Sequence, residues 1–284
     1  MFAEFIWPYA HSHSSPELEV LQAGPTGGSR GRRTPIVFVH GAFVGAWCWD
    51  AHFLDYFAER GFHAVAPSLR GHGESAGRER LSHAGIREYV ADLSRVVATL
   101  NGPPPILVGH SMGALVVQRY LEQHPATAAI LLAPVPPQGL MPSTLRMMWG
   151  DPMLFTQFSL MQTLGSGVVD PDIARRAVFS ERLRDAELAD YANRVQPESQ
   201  RALWEMAFGG SGARPWLVDP RPPIRVIAAE KDALFAPTET RLVAQLWEAD
   251  WLEMPGMAHA MMLEPDWERV ADEILRGLWA AGLH

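Results

Sequence analysis

The stretch that decides the fold is PILVGHSMGALVVQRYLEQ, residues 105–123. Its start, 105–108, is a short apolar run typical of a strand buried on both faces, and 112–123 predicts a helix. Between them, Gly109-His110-Ser111-Met112-Gly113 forms a G-x-S-x-G pattern, which places a serine at a sharp turn from strand to helix. We expect side chains at the two glycine positions to collide with neighbouring strands. The helix N-terminus offers free N–H groups to a developing oxyanion, so the stretch predicts a nucleophilic Ser111.

Strands and helices alternate on both sides of this turn. Short β-branched or apolar runs predict further strands, and apolar residues at helical spacing predict the helices between them. The predicted strands are 18–23, 36–39, 62–66 and 128–133, and the predicted helices are 49–60 and 85–100. This order predicts an α/β fold in which right-handed crossovers build a mostly parallel central sheet with helices on both faces.

The alternation stops at Pro134. The next stretch contains predicted helices but no convincing strand: 143–164, 171–179, 185–195 and 197–208. The sheet then resumes with 224–229 and 249–254, and a helix over 265–278 ends the chain. A helical block inserted between parallel strands is expected to cap the carboxyl edge of the sheet, where ligands bind. We therefore divide the chain into an N-terminal extension (1–17), a core (18–134 and 221–284) and a helical cap (135–220).

A serine hydroxyl is a weak nucleophile, so Ser111 needs a base that a third group holds in place. The expected chain order is serine, acid, histidine. His259 follows the last predicted strand, whereas His124 lies near the far end of the helix that Ser111 begins and cannot reach back. Glu230 and Asp232 both follow strand 224–229, and we favour Asp232 because it lies in the loop beyond the strand end.

The segment His40-Gly41-Ala42 follows the first buried strand. A loop in this place supplies a second backbone donor to the oxyanion, and its glycine lets the backbone approach the substrate. We expect the N–H groups of Ala42 and Met112 to form the oxyanion hole. The N–H of Phe43 is the competing choice for the first donor.

Several segments together resemble the α/β-hydrolase fold superfamily, from about Leu18 to the C-terminus. They are His40-Gly41-Ala42-Phe43, Leu69-Arg70-Gly71-His72-Gly73-Glu74-Ser75, Gly109 to Gly113, Glu230-Lys231-Asp232 and Gly256-Met257-Ala258-His259. Within them, residues 40–49 (HGAFVGAWCW) resemble the group that holds plant-type methyl esterases and hydroxynitrile lyases. The lyase branch normally has a lysine after the catalytic histidine, where this chain has Ala260, so the resemblance favours ester hydrolysis. It also implies structural roles for Arg70, His72 and His110.

Composition excludes several classes. A net charge of −8 and a pI near 5.8 give the chain as a whole no attraction to nucleic acid or anionic membranes. The single cysteine, Cys48, excludes an intramolecular disulfide and a cysteine-built metal site. The pair His11 and His13 has no nearby third ligand, so we expect no metal. We also expect no membrane span and a cytoplasmic location, since no apolar run is long enough and the N-terminus makes a poor signal peptide.

The twelve methionines are unevenly distributed. Ten of them fall in the first helical stretch of the predicted cap (141–161), beside Ser111 or around His259. Methionine adapts to irregular shapes, so this distribution suggests a deformable hydrophobic substrate pocket. The residues predicted to line it are Phe43, Met147, Met148, Phe155 and Phe158.

These observations predict a cofactor-free serine hydrolase that cleaves carboxylic esters of small to medium hydrophobic substrates through an acyl-enzyme. The partner is a small-molecule ester, and the oligomeric state is open. Two alternatives remain: a lyase or C–C hydrolase that uses the same triad, and a non-catalytic protein that keeps the fold to bind a ligand.

Overall fold

The computed structural model describes residues 15–25, 34–164, 171–208 and 212–283, with the backbone alone at 158, 161–164 and 171. The strands are β1 Val20–Ala23, β2 Ile36–Val39, β3 Ala64–Pro67, β4 Ile106–His110, β5 Ala128–Leu132, β6 Ile224–Ala229 and β7 Asp250–Met254. They form one sheet in the order β1-β3-β2-β4-β5-β6-β7. Only the β1–β3 pair is antiparallel among these strands, so the predicted mostly parallel sheet is confirmed.

The helices of the described chain cover both faces of the sheet and fill the segment between β5 and β6. In chain order they are α1 Trp47–Asp50, α2 Phe53–Glu59, α3 Ile86–Thr99, α4 Met112–Leu121, α5 Met141–Gly150, α6 Pro152–Leu164, α7 Pro171–Val178, α8 Asp185–Asn193, α9 Gln200–Ala207, α10 Pro237–Trp247 and α11 Trp267–Ala280. Short 3₁₀ helices occur at Arg78–His83, Pro215–Leu217 and Met261–Leu263.

Two hydrophobic clusters, one on each face, hold the helices to the sheet. α3, α4 and α10 pack in one cluster, and α1, α2 and α11 pack in the other. The strands β2 to β5 are buried along their whole length, which explains their continuous apolar sequences. Parallel pairing brings the carboxyl ends of β2, β4 and β5 together: Val39 lies opposite Gly109, and His110 opposite Leu132.

The structure differs from the predicted helices at three places. Helix 49–60 is two helices, because His52 leaves the helical conformation (φ −149°) and stacks on Trp267. Helix 143–164 is also two, because the residue before a proline is disfavoured in helical geometry and Pro152 begins α6. α10 has no counterpart among the predictions, although Pro237 at its start and the Glu239 side chain bonded to Ala236 N–H (2.7 Å) are helix-start signals.

Residues 135–220, which lie between β5 and β6, are called the inserted segment below. It contains α5 to α9 and no strand among its described residues. Its side chains reach the carboxyl end of the sheet, where they line a cavity together with residues that follow β2, β4 and β7. No helix in the described part of the chain is long and apolar enough to cross a membrane.

Candidate active site

Ser111 lies at a strained turn between β4 and α4. Its φ of 52° and ψ of −116° are unusual for a residue with a side chain, and such geometry costs on the order of 1–3 kcal/mol. Its N–H donates to the Leu132 carbonyl of β5 (2.9 Å). A Cβ on Gly113 would lie 2.3 Å from the Val39 carbonyl oxygen, a collision with a neighbouring strand as predicted. At Gly109, however, the collision is with the start of α4, 2.6 Å from the Ala114 Cα.

His259 and Asp232 meet beside Ser111. The Nδ1 of His259 lies 2.7 Å from Oδ2 of Asp232. The other carboxylate oxygen accepts the backbone N–H groups of Leu234 and Phe235, both at 2.8 Å, so the aspartate is held in one orientation. All three predicted residues are buried, at 9% exposure for Ser111, 6% for Asp232 and 4% for His259. Ser111 and His259 line the same cavity.

Glu230, the other candidate acid, points elsewhere. It is exposed, and its carboxylate accepts the N–H of Gly256 (2.7 Å). The loop position beyond β6 therefore brings Asp232, and not Glu230, to the histidine.

His110 packs against the same histidine. Its Nε2 donates to the backbone carbonyl of His259 (3.0 Å), and the two rings are 4.7 Å apart. Burial, together with the nearby His259, lowers the pKa of His110 well below its ordinary value, so the ring is neutral. This agrees with the structural role that the sequence suggests.

The loop after β2 passes directly over Ser111. A Cβ on Gly41 would lie 3.2 Å from the Ser111 Cβ and 2.8 Å from Nδ1 of His110. Among the described residues, the N–H groups of Ala42 and Met112 have no hydrogen-bond partner. The N–H of Phe43 instead donates to Oε2 of Glu198 (3.3 Å). Of the two alternatives for the first oxyanion donor, Ala42 is thus the one whose N–H is free.

The cavity at Ser111 has a volume of about 220 Å³ and an apolar wall. The inserted segment supplies much of this wall. Side chains from the sheet side and from the inserted segment that line it include Trp47, Met112, Val135, Leu154, Ile173, Phe179, Tyr191, Met206, Phe235 and Met262. No aspartate, glutamate, lysine or arginine is among the described residues that line it.

The predicted pocket residues have different outcomes. Phe43 and Met147 line the cavity. Met148 does not, because the inward face of α5 carries Ser143 and Met147, and the next position is rotated away from it. Phe155 is also outside the lining, and it is partly buried against the hydrophobic cluster that contains its neighbour Leu154. The side chain of Phe158 lies outside the described part of the structure.

The methionine distribution was only a partial guide. Around His259, all four methionines pack in the hydrophobic cluster of α1, α2 and α11, and of these Met262 alone also lines the cavity. Met206, which was not singled out, does line the cavity. Side-chain type therefore located the region but not the individual contacts.

Sequence reasoning missed Glu198, which is buried beside the loop after β2. Its neighbour Ser199 caps α9, its hydroxyl accepting the N–H of Ala202 (3.3 Å). An acidic residue beside a helix cap is typical of an exposed helix start, so the sequence carried no signal for burial.

A sequence model of the alpha/beta hydrolase family matches residues 36–273 of this chain. The chain belongs to this family. The match covers both parts of the sheet, including β4, β6 and the loop of His259, so it spans every element that meets at the cavity.

Two individual relatives match over shorter stretches. The chain is 37% identical over 111 residues to a non-heme haloperoxidase of Rhodococcus erythropolis, covering 38% of this chain and 39% of that protein. It is 29% identical over 175 residues to a pyrethroid hydrolase of Sphingobium wenxiniae, covering 60% of each chain. The chain thus spans roughly two fifths to three fifths of the length of these relatives.

The solved structures show the same fold. A thermophilic esterase from Thermogutta terrifontis superposes with a TM-score of 0.69 at 19% identity, over 95% of this chain and 94% of that one. At this identity the likeness concerns the fold and not the reaction.

Proposed function

We propose that this protein is a cofactor-free serine hydrolase that cleaves carboxylic esters carrying apolar groups. The observation that carries the proposal is the 2.7 Å contact between Nδ1 of His259 and Asp232, because His259 lines the same cavity as the strained Ser111. A histidine held through Nδ1 presents Nε2 as a base, which is the arrangement that activates a serine hydroxyl.

In the proposed reaction, Oγ of Ser111 attacks the ester carbonyl while Nε2 of His259 takes its proton. Asp232 orients the ring and stabilises the imidazolium that forms. The N–H groups of Ala42 and Met112 bind the oxyanion. The ester C–O bond then breaks, and the alcohol leaves with the proton from His259. Water, deprotonated by His259, attacks the acyl-enzyme and releases the acid and the free serine.

The cavity wall supports an apolar substrate. A charged substituent would lose its hydration there without gaining a described charged partner, which is unfavourable. An aliphatic or aryl group would bury apolar surface, at about 25 cal/mol per Å². We propose small to medium neutral esters on this basis, and an acyl or alcohol group of several carbons should be preferred over acetate.

The test compares p-nitrophenyl esters of increasing chain length with the wild type, Ser111→Ala and Ser143→Ala. Ser143 also lines the cavity and is buried, which makes it a matched control serine. Ser111→Ala should reduce kcat/KM about 10³-fold or more, while Ser143→Ala stays within about threefold. Mass spectrometry should find one fluorophosphonate adduct on Ser111.

Retained ester hydrolysis in Ser111→Ala would exclude the proposed nucleophile. An unlabelled wild type that binds apolar ligands without turnover would instead support the non-catalytic alternative. Lactones, thioesters and a β-diketone complete the panel, since C–C cleavage without ester turnover would favour the C–C hydrolase.

A further inference from the structure

A buried carboxylate of the inserted segment contacts the loop that follows β2. The Glu198 side chain is fully buried, and its carboxylate accepts hydrogen bonds from four donors. Oε1 accepts the Tyr89 hydroxyl (2.7 Å) and the Ser199 N–H (2.6 Å). Oε2 accepts from Nε2 of His72 (3.0 Å) and from the N–H of Phe43 (3.3 Å). Such a complete set of donors compensates for burial and keeps the carboxylate ionised.

His72 supplies the matching charge. Its Nε2 faces the Glu198 carboxylate, and its Nδ1 faces the backbone carbonyl of Arg70 (3.1 Å). Both partners are acceptors, so both ring nitrogens carry a proton and the ring is an imidazolium. The adjacent His40 differs, because its Nε2 accepts the Leu69 N–H (3.0 Å) and it is therefore neutral. The charge is thus localised on the ring that contacts Glu198.

The same contacts fix the backbone of the loop. Phe43 has φ 67°, a left-handed conformation that an aromatic residue adopts only when its surroundings hold it there. Glu198 binds its N–H, and the backbone N–H of Gln196 donates to its carbonyl (2.9 Å). Both polar groups of the Phe43 backbone are therefore bound by residues 196–198 of the inserted segment.

This loop carries the free N–H of Ala42, between Phe43 and Gly41, and a Cβ on Gly41 would lie 3.2 Å from the Ser111 Cβ. We propose that Glu198 is a positioning residue: by holding the Phe43 N–H, it aims the Ala42 N–H at the oxyanion and keeps the Phe43 N–H away from it. The inference rests on the proposed ester hydrolysis. Under it, the inserted segment covers the cavity and also completes the oxyanion hole.

The test is Glu198→Gln, with Glu122→Gln as its matched control. An amide has one oxygen and one NH₂, and we expect the oxygen to keep the shortest bond, to the Ser199 N–H (2.6 Å), so that the NH₂ takes the place of the acceptor of the Phe43 N–H. The Glu122 side chain is 1% exposed and likewise binds the inserted segment, through Arg214 N–H (2.8 Å), but it lies at the end of α4 remote from Ser111. Both variants thus lose a buried carboxylate at the same boundary.

We expect Glu198→Gln to lower kcat about 10- to 100-fold with KM within about twofold. A misaimed donor stabilises the oxyanion of the transition state less, while the binding of the neutral ester depends little on it. The inhibition constant of a trifluoromethyl ketone, which presents an oxyanion, should rise in parallel. Amide hydrogen exchange in the peptide containing Ala42 and Phe43 should accelerate. Glu122→Gln should change none of these, even at an equal loss of thermal stability.

Two further variants separate the contact of Glu198 with Phe43 from a general loss of stability. Tyr89→Phe removes a donor from Oε1 only, so it should lower the melting temperature while kcat stays within about twofold. If Glu198→Gln does not fold, Glu198→Asp keeps the charge but withdraws the carboxylate from Phe43, and it should show the same loss of kcat.

Equal kcat losses in the Glu198 and Glu122 variants, or exchange at Ala42 and Phe43 that does not change, would overturn the proposal. Failure of the ester hydrolase assignment is distinguishable, because it appears in the wild type as absent labelling of Ser111. The exchange measurement does not depend on turnover and still tests whether Glu198 holds the loop.

Discussion

The turn around Ser111 and the inserted segment line the same cavity but are specified in different ways. At the turn, Gly109 and Gly113 are required by contacts of 2.6 Å and 2.3 Å with atoms of the backbone, which no side chain could avoid. In the inserted segment, the lining comes from helix faces whose neighbours are set by packing, as the contrast between Met147 and Met148 illustrates. Backbone constraints leave a motif in the sequence, whereas packing against distant residues does not.

The largest effect should follow a change at the acid. In Asp232→Asn, the amide can no longer hold the Nδ1–H tautomer of His259, so kcat should fall about 10⁴-fold while the fold is retained. The control is Glu230→Gln, at the exposed carboxylate two residues earlier, which should keep kcat within about twofold. Steady-state kinetics on a p-nitrophenyl ester measures both values of kcat. Equal losses would show that kcat depends on the loop as a whole and not on the contact of Asp232 with His259.

A pair of glycines tests the contrast between the two regions directly. Gly113→Ala should destabilise the protein by about 4 kcal/mol or prevent folding, because two backbone carbonyls, of Val39 and His40, lie within 2.4 Å of the new Cβ. Gly150→Ala, in the inserted segment, places its Cβ in open space and should change the free energy of unfolding by less than about 1 kcal/mol. Urea denaturation measures both, and a tolerated Gly113→Ala would contradict the backbone constraint.

A smaller effect concerns pH. Burial of His72 lowers its pKa, but the Glu198 carboxylate and the other hydrogen-bond acceptors outweigh this, so the pKa of His72 is raised. Burial of Glu198 raises its pKa, but His72 and the other donors outweigh this, so the pKa of Glu198 is lowered. The His72 contribution is complete below its ordinary pKa of 6.5 and is lost as pH rises through the folded-state pKa. The Glu198 contribution is complete above its ordinary 4.5 and is lost as pH falls through the folded-state pKa.

The difference in the free energy of unfolding between the wild type and Glu198→Gln should therefore be largest between pH 4.5 and pH 6.5, at about 3 kcal/mol. It should decline at lower and at higher pH. Arg78 lowers the pKa of His72 and moves the upper limit down, while His40 and Tyr89 also face the ring. Denaturation across the pH range measures the difference. A difference that does not decline as pH rises above 6.5 would show that His72 is neutral in the folded protein.

Much of the fold was predictable because apolar runs and the spacing of apolar residues involve only neighbouring positions in the chain. The apolar runs at 36–39 and 224–229 became β2 and β6 with the same bounds. α10 was missed, although the crossover between two parallel strands requires a connection of its length and Pro237 marks its start. The break at Asp151 was also missed, because apolar residues continue on both sides and only the proline signals it.

The sequence by itself determined which segments form the strands of the core, the turn at Ser111 and the loop positions of His259 and Asp232, since each depends on residues adjacent in the chain. Only the tertiary structure decided that Asp232, and not Glu230, contacts His259, that the N–H of Ala42 is free while that of Phe43 is bonded, and which methionines line the cavity. Each of those decisions depends on an atom supplied from elsewhere in the chain: Nδ1 of His259, the Glu198 carboxylate, and the facing wall of the cavity. The pattern of neighbouring residues does not specify which distant group will contact them, because many sequences with the same pattern pack differently.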